Sequence, residues 1–265
     1  MSKTQIKLVI LGDEIGIPIL NLIANSLEIE IMGALFSRKV STLTRERIVE
    51  ELNIPILETK SQDDHNEVLL EFIKNERIDI ILMFSYDVIL NSQIIDVPGI
   101  KVINIHGGKI PSYRGANVLN WAIINGEKEI GVTIHEARLL VDSGPIIGEW
   151  SLLVDPADTA LTVREKICKS IIKKGPQILS DYLFSKMTPY PAKELNLKPY
   201  KKRVPDDGLF DWSYSDEEIH NLIRGLVSPW PGARYKDRNG RLIIISDYLS
   251  INEIRKLRIR ESDKL

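Results

Sequence analysis

The chain contains few of the residues that form disulfides or bind metal ions. Cys168 is its one cysteine among 265 residues, which excludes an internal disulfide and a cysteine-cluster metal site. Its four histidines, His65, His106, His135 and His220, show no metal-ligand spacing. We expect a protein that binds no metal. We also expect His65, His135 and His220 to be structural or exposed rather than catalytic.

Long apolar runs and a charge excess of one sign are absent as well. No apolar run approaches the ~20 residues of a membrane-spanning helix, and the first residues lead into a strand pattern without a signal peptide. The formal net charge of −2 gives no general affinity for nucleic acid or an anionic membrane. We therefore expect a cytoplasmic protein with small-molecule partners and with no nucleic-acid or membrane partner.

Apolar runs of strand length alternate with amphipathic segments of helical length over much of the chain. Strands are predicted at 7–11, 30–36, 54–57, 78–84, 100–105, 131–137 and 145–154, and helices at 16–27, 44–52, 63–75, 115–126 and 158–184. The early strand–helix alternation is typical of βαβ units. We predict an α/β fold with a Rossmann-like, twisted, mainly parallel sheet.

The composition changes after residue 187. Several prolines and basic residues between 188 and 203 indicate a solvated connector. Ser215 and Glu218 then form a capping-box pattern that opens a helix, two short strands follow near 233–235 and 241–246, and the chain ends in a charged segment from 255 to 265. We expect a catalytic domain over 1–187, a connector over 188–203 and a small β-rich module over 204–265.

The first strand-to-helix turn contains Gly12 and Gly16, and such turns can bind phosphate at a helix N-terminus. However, the spacing lacks the full dinucleotide fingerprint, and Asp13 and Glu14 would repel an anion. A tight turn explains the glycines better than a phosphate site.

Asn104 and His106 end a buried strand, two residues apart, so their side chains share one face of the sheet. Open α/β sheets place ligands at this end of their strands. An imidazole can shuttle a proton, an amide can donate to a developing oxyanion, and Asp142 from a later loop can orient or charge the imidazole. The alternative is that Asn104 and His106 only cap backbone groups around the glycine turn.

Four motifs carry a family resemblance: Asn104-Ile-His106-Gly-Gly, Tyr113-Arg114-Gly115, the helical pair Asn120-Trp121 and Gly131-Val-Thr-Ile-His135. Together with the C-terminal Asp-Trp-Ser and Pro-Trp-Pro-Gly-Ala segments, they resemble the folate-dependent formyltransferases, and most of all the sugar N-formyltransferases. The resemblance implies that Asn104, His106 and Asp142 are the catalytic residues. It also implies N10-formyltetrahydrofolate as co-substrate and a homodimer.

The resemblance assigns two further groups of residues. The folate-binding candidates are Phe84, Ser85, Tyr86, Asp87, Val88, Ile89, Leu90 and Val141. The candidates for binding the amine substrate are Lys109, Tyr113, Arg114, Asn117, Trp121 and Arg224.

The expected reaction is formylation of the amino group of a UDP- or dTDP-linked amino-deoxysugar, for lipopolysaccharide or other surface or flagellar glycans. The sequence pI of about 6.2 and the short C-terminal module favour this small substrate over tRNA. The alternatives are a methionyl-tRNA formyltransferase and, from another functional class, a non-catalytic module that binds folate or a nucleotide.

Overall fold

The structure is a computed structural model that describes residues 6–37, 41–61, 63–193 and 198–262. Parts of three sequence predictions fall outside these ranges. They are the residues that lead into the first strand, residues 194–197 of the connector, and residues 263–265 of the charged end.

Six strands form one sheet in the order β2-β1-β3-β4-β5-β6. The strands are β1 Lys7–Gly12, β2 Glu30–Phe36, β3 Ile80–Phe84, β4 Lys101–His106, β5 Glu129–Glu136 and β6 Ile146–Leu153. β1 pairs in parallel with β2 and β3, β3 pairs in parallel with β4, and β4 pairs antiparallel with β5. The predicted α/β fold with a mainly parallel sheet is confirmed.

Most of the helices match the sequence pattern, but Ser92–Ile95 and Ile251–Ser262 were not predicted. They are α1 Gly16–Ser26, α2 Thr42–Leu52, α3 His65–Glu76, α4 Ser92–Ile95, α5 Val118–Ile124, α6 Ala160–Leu183, α7 Asp216–Arg224 and α8 Ile251–Ser262. β3 is buried along its whole length, as expected for a central parallel strand covered on both faces. Within the described ranges, no helix is both long enough and apolar enough to cross a membrane.

The prediction of a strand at 54–57 is wrong. Only one bridge forms there, between Ile56 and Ala34 of β2. The carbonyl of Pro55 accepts from the Ala34 amide and the Leu57 amide donates back to Ala34, at 2.8 Å each. Because a proline has no amide hydrogen, this short segment cannot extend the ladder.

The C-terminal module contains the antiparallel strands β7 Ala233–Lys236 and β8 Leu242–Ile245. The small strand module predicted after the connector is confirmed. The cap of α7 also forms as predicted, since the Ser215 amide donates to the Glu218 carboxylate at 2.8 Å and the Glu218 amide donates back at 3.2 Å. The charged segment at the end of the chain, for which no helix was predicted, belongs to α8. Ser250 and Glu253 cap the start of α8 with the same pattern as in α7.

The chain divides into two compact units. Unit 1 comprises 1–112, 132–150 and 168–197, and unit 2 comprises 113–131, 151–167 and 198–265. One apolar core joins β1, β3 and α3 in unit 1, and another joins α7, β7 and α8 in unit 2. This division places 113–131 and 151–167 with the C-terminal residues, whereas the sequence assigned them to the catalytic domain. The boundary at 188–203 stays a prediction.

Candidate active site

The C-terminal ends of β3 and β4 lie side by side at one edge of the sheet. Phe84, the last residue of β3, pairs with Ile105 of β4 in the parallel register. The predicted folate loop, 85–90, therefore leaves the sheet beside His106, the last residue of β4. Parallel strands bring their carboxyl ends to the same edge, where open α/β sheets bind ligands.

The register between β4 and β5 builds the centre of the site. Asn104 lies opposite His135, and His106 lies opposite Thr133. Side chains of directly opposed residues stand on the same face of a sheet, as do residues two apart in one strand. Four polar side chains therefore share one face of two neighbouring strands.

Asp142 comes to this cluster from the loop between β5 and β6. Its Oδ1 lies 3.2 Å from Asn104 Nδ2 and 3.4 Å from His135 Nε2, and its Oδ2 lies 3.6 Å from His106 Nδ1. Its φ of 48° is in the left-handed region, which aspartate tolerates better than most residues. The structure thus brings the three predicted catalytic residues together around one buried carboxylate.

The Asn104 amide is oriented differently from the sequence expectation. Nδ2 donates to Asp142 Oδ1 at 3.2 Å and lies 3.2 Å from His135 Nε2. Both neighbours of the amide nitrogen are groups of the protein. In this arrangement the Asn104 amide nitrogen faces Asp142 and His135 rather than a developing oxyanion.

His135 is the residue of this cluster that the sequence reasoning missed. It is 1% exposed, and its Nδ1 lies 2.8 Å from the carbonyl oxygen of Glu136. His135 ends a segment that carries the family resemblance, Gly131 to His135, but the sequence reasoning gave it no part in the site. Its position opposite Asn104 depends on the pairing of two strands that are distant in the chain.

Two contacts hold the loops of the site. Thr133 Oγ1 donates to the Gly108 carbonyl at 2.8 Å and accepts from the Ile110 amide at 3.3 Å, which fixes the turn after His106. Gly144, two residues after Asp142, packs against the Glu136 backbone so closely that a Cβ there would lie 1.8 Å from the carbonyl oxygen. The turn after His106 and the loop with Asp142 are therefore both anchored to β5.

The predicted folate loop is attached to the fold at both ends. Phe84 and Leu90 are buried, and Ile89 between them is 69% exposed. The remaining candidates are Ser85 and Asp87, which are exposed, and Tyr86, Val88 and Val141, which are half-buried.

Tyr86 is anchored by His65, whose Nδ1 lies 3.0 Å from the tyrosine hydroxyl oxygen. The other ring nitrogen of His65 lies 3.3 Å from Thr59 Oγ1. Burial lowers the pKa of the His65 imidazole and raises the pKa of the Tyr86 hydroxyl, so the contact joins two neutral groups. The expected structural role of His65 is thus to hold this loop.

The glycine turn after β1 is a tight turn. A Cβ on Gly16 would lie 2.1 Å from the carbonyl oxygen of Phe84. Asp13 Oδ1 accepts from the Ile15 and Gly16 amides at the start of α1, and Asp13 Oδ2 accepts from Ser85 Oγ at 2.7 Å. The protein's own carboxylate therefore occupies the position where a phosphate would bind.

Three candidate residues for binding the amine substrate contact other residues of unit 2. The ring of Tyr200 stacks on Tyr113 at 5.2 Å and on Trp121 at 5.6 Å between centroids. The Arg203 guanidinium lies 4.5 Å from the centre of the Trp121 ring, and the Arg203 amide donates to Asn117 Oδ1 at 3.0 Å. Tyr200 and Arg203 of the predicted connector are therefore packed on these side chains, whereas Lys198, Lys201 and Lys202 are exposed.

Arg224 was expected to bind the amine substrate, but its side chain is buried. It is 5% exposed, and it donates to Asn221 Oδ1 at 2.8 Å and to the Asp158 carbonyl at 3.1 Å. Its burial and these bonds give it a structural role in unit 2. Of the other candidates, Lys109 in unit 1 is exposed and Arg114 in unit 2 is half-buried. In the part of the chain that the structure describes, no three acidic, histidine or cysteine side chains group as metal ligands.

Two family models match this chain. One, described as formyl transferase, matches residues 29–180, which is more than half of the chain. The other, described as formyl transferase, C-terminal domain, matches residues 202–255.

A curated relative is the bifunctional polymyxin resistance protein ArnA of Wigglesworthia glossinidia brevipalpis. It is 36% identical over 164 residues, which are 62% of this chain and 25% of that protein. The matched region thus spans about a quarter of the relative's length.

Solved structures show the same fold. A 4-N formyltransferase from Francisella tularensis superposes with a TM-score of 0.72 at 18% identity, over 92% of this chain and 98% of that chain. A sugar N-formyltransferase from a Shewanella species superposes with a TM-score of 0.69 at 20% identity, over 94% and 99%. At these identities the likeness establishes the fold.

Proposed function

This chain belongs to the formyl transferase family, and on that premise we propose that it moves a formyl group from N10-formyltetrahydrofolate to the amino group of a nucleotide-linked amino-deoxysugar. The observation that carries the proposal is the buried Asp142 carboxylate surrounded by Asn104, His106 and His135. From the resemblance, the proposal includes a cytoplasmic homodimer whose product enters surface or flagellar glycans.

The folate loop has the chemistry that the proposed co-substrate needs. Ile89 in that loop, and Leu139 and Leu140 beside Val141, expose large apolar side chains. Apolar side chains with a few polar groups are what a flat aromatic ring system binds. When bound, N10-formyltetrahydrofolate supplies the formyl group on a nitrogen that can leave.

His106 carries the proton transfers in this proposal. The amine nitrogen bonds to the formyl carbon and loses one proton, while the departing nitrogen gains one proton as its bond to that carbon breaks. His106 accepts the first proton and returns one to the departing nitrogen, so the enzyme ends in its starting state. Asp142 stabilises the imidazolium that exists between these steps, because its Oδ2 lies 3.6 Å from His106 Nδ1.

Arg114 is the proposed group for the phosphates of the sugar nucleotide. The backbone at Arg114 is held in place, since its carbonyl accepts from the Tyr200 amide at 2.7 Å. The following residue, Gly115, has a φ of 95°, and a Cβ there would lie 2.3 Å from the Tyr200 carbonyl oxygen. A guanidinium on a fixed backbone can bind phosphate through paired donors.

The acceptor is tested by measuring formyl transfer from N10-formyltetrahydrofolate to a panel of UDP- and dTDP-linked aminohexoses, beside initiator methionyl-tRNA. We expect turnover with at least one sugar nucleotide and none with the tRNA. Formylation of the tRNA with an inert sugar panel would replace the proposal with the methionyl-tRNA alternative. Folate binding without any transfer would favour the non-catalytic module.

Replacing Arg114 by alanine is expected to raise KM for the responsive sugar nucleotide about tenfold or more, with a smaller change in KM for the folate. The reason is that a phosphate-binding arginine contributes binding energy equally to the ground state and the transition state. Arg241→Ala is the matched control, because Arg241 is an exposed arginine that pairs with Asp237 in a hairpin. Equal KM values in the two variants would remove Arg114 from the proposed site.

A further inference from the structure

His135 is a buried polar residue that takes no part in the proton transfers proposed above. It stands directly opposite Asn104 in the antiparallel register of β4 and β5. Its two ring nitrogens contact different kinds of partner, the Glu136 carbonyl oxygen at 2.8 Å and Asn104 Nδ2 at 3.2 Å. This pair of partners determines its protonation.

A carbonyl oxygen can only accept a hydrogen bond, so Nδ1 of His135 carries the hydrogen. Nε2 of His135 lies between Asn104 Nδ2 at 3.2 Å, which can only donate, and Asp142 Oδ1 at 3.4 Å. Because the contact with the amide nitrogen is the shorter one, we assign Nε2 as the acceptor and the imidazole as the Nδ1–H tautomer. The backbone of the next residue, Glu136, selects it.

The Asp142 carboxylate favours one orientation of the Asn104 amide, because its Oδ1 can only accept and lies 3.2 Å from Nδ2. One hydrogen of Nδ2 goes to His135 Nε2 and the other to Asp142 Oδ1. A flipped amide would place its oxygen against the lone pair of Nε2 and against the carboxylate. Among the described residues, no group donates to Asn104 Oδ1, and the side chain is only half-buried.

We propose that His135 is a positioning residue that, together with Asp142, holds the Asn104 amide with Oδ1 directed to the substrate amine. The inference rests on the proposed function and deepens it. Asn104 Oδ1 accepts one N–H of the attacking amine, which orients the nitrogen lone pair for attack. The amide of Asn104 acts on the nucleophile and leaves the formyl oxygen to other donors.

The first test compares His135→Leu with His135→Gln in the full-length protein. Leucine keeps an apolar volume but offers no acceptor, so we expect kcat to fall on the order of 10²-fold with KM for the folate unchanged, because a misplaced reacting group costs about that much. Glutamine places a carbonyl oxygen near the position of Nε2, and we expect it to restore kcat to within about tenfold of wild type. A leucine variant with wild-type kcat, or a folded glutamine variant as slow as leucine, would overturn the proposal.

The second test places both substitutions in an Asn104→Ala background. If His135 acts through Asn104, its replacement should change kcat less than about twofold once the amide is gone. A further loss as large as that in the wild-type background would overturn the proposal. Should His135→Leu fail to fold, His135→Ala, which also offers no hydrogen-bond acceptor, takes its place in both backgrounds.

The third test needs no activity. Long-range ¹H–¹⁵N spectra of the histidine-labelled wild-type protein at neutral pH are expected to show His135 as the Nδ1–H tautomer. An Nε2–H tautomer or an imidazolium would overturn the positioning role. If the wild-type protein transferred no formyl group to any amine, the proposed function would fail, while this spectrum would still establish or exclude the link between His135 and Asn104.

Discussion

Replacing His106 by alanine is expected to lower kcat by about 10²–10⁴-fold, the range that a positioned general acid–base contributes. In the proposed function, His106 takes the proton from the attacking amine and returns one to the departing nitrogen. Asp142 Oδ2, 3.6 Å from its Nδ1, stabilises the charged form between these transfers. Without the imidazole, solvent has to carry both protons. The measurement is kcat with saturating folate and the responsive amine.

The binding of tetrahydrofolate is expected to stay within about threefold of wild type, because the alanine variant loses a group that acts in the transition state. His220→Gln is the matched control. His220 is also a buried histidine, but it lies in unit 2 and contacts the Tyr248 hydroxyl at 3.3 Å. A folded His106→Ala variant with near-wild-type turnover would refute the assignment of His106 as the proton carrier.

The second large effect is expected from Gly144→Ala, which adds one methyl group. That Cβ would lie 1.8 Å from the Glu136 carbonyl oxygen and 2.8 Å from its carbonyl carbon. The same carbonyl accepts the Nδ1 hydrogen of His135, and the Glu136 amide donates to Pro145 at 2.9 Å. Either the loop with Asp142 or the strand with His135 has to move.

Both movements displace a partner of Asn104, so we expect kcat to fall on the order of 10²-fold. The free energy of unfolding should also fall by about 1–3 kcal/mol, as in other overpacked sites. Both are measured on the purified variant, by steady-state kinetics and by urea unfolding.

Gly240→Ala is the matched control for an added methyl group. Gly240 has a φ of 76° in open space, where alanine costs about 1 kcal/mol of backbone strain and meets no neighbouring atom. We expect that variant to keep its kcat. Unchanged kcat in Gly144→Ala would show that the packing of Gly144 on Glu136 does not position the catalytic loop.

Local patterns in the sequence were enough to predict much of this molecule. The side chains of Asn104 and His106 share a face because successive residues of a strand alternate sides. The cap of α7 forms because Ser215 and Glu218 are three residues apart, which is the spacing that the first turn of a helix requires. The alternation of strands and helices likewise depends on local hydrophobic periodicity, and it predicted the mainly parallel sheet.

Local sequence patterns could not predict the position of a side chain where segments distant in the chain contact each other. Tyr200 lies in a stretch rich in proline and lysine, and only the folded chain stacks it between Tyr113 and Trp121. Arg224 resembles a ligand-binding arginine in the sequence, and only packing shows that it is buried. The segment at 54–57 has a strand composition, but a strand also needs partners along its length.

The sequence by itself determined the fold class, the face of β4 that carries Asn104 and His106, and the resemblance that identified Asp142 as their partner. The tertiary structure alone decided that His135 stands opposite Asn104 and that the Asn104 amide nitrogen faces Asp142 and His135. The physical reason is that strand register comes from the packing of whole faces and from the closing of the intervening loop. Neither can be predicted from the residues that adjoin Asn104 or His135 in the chain.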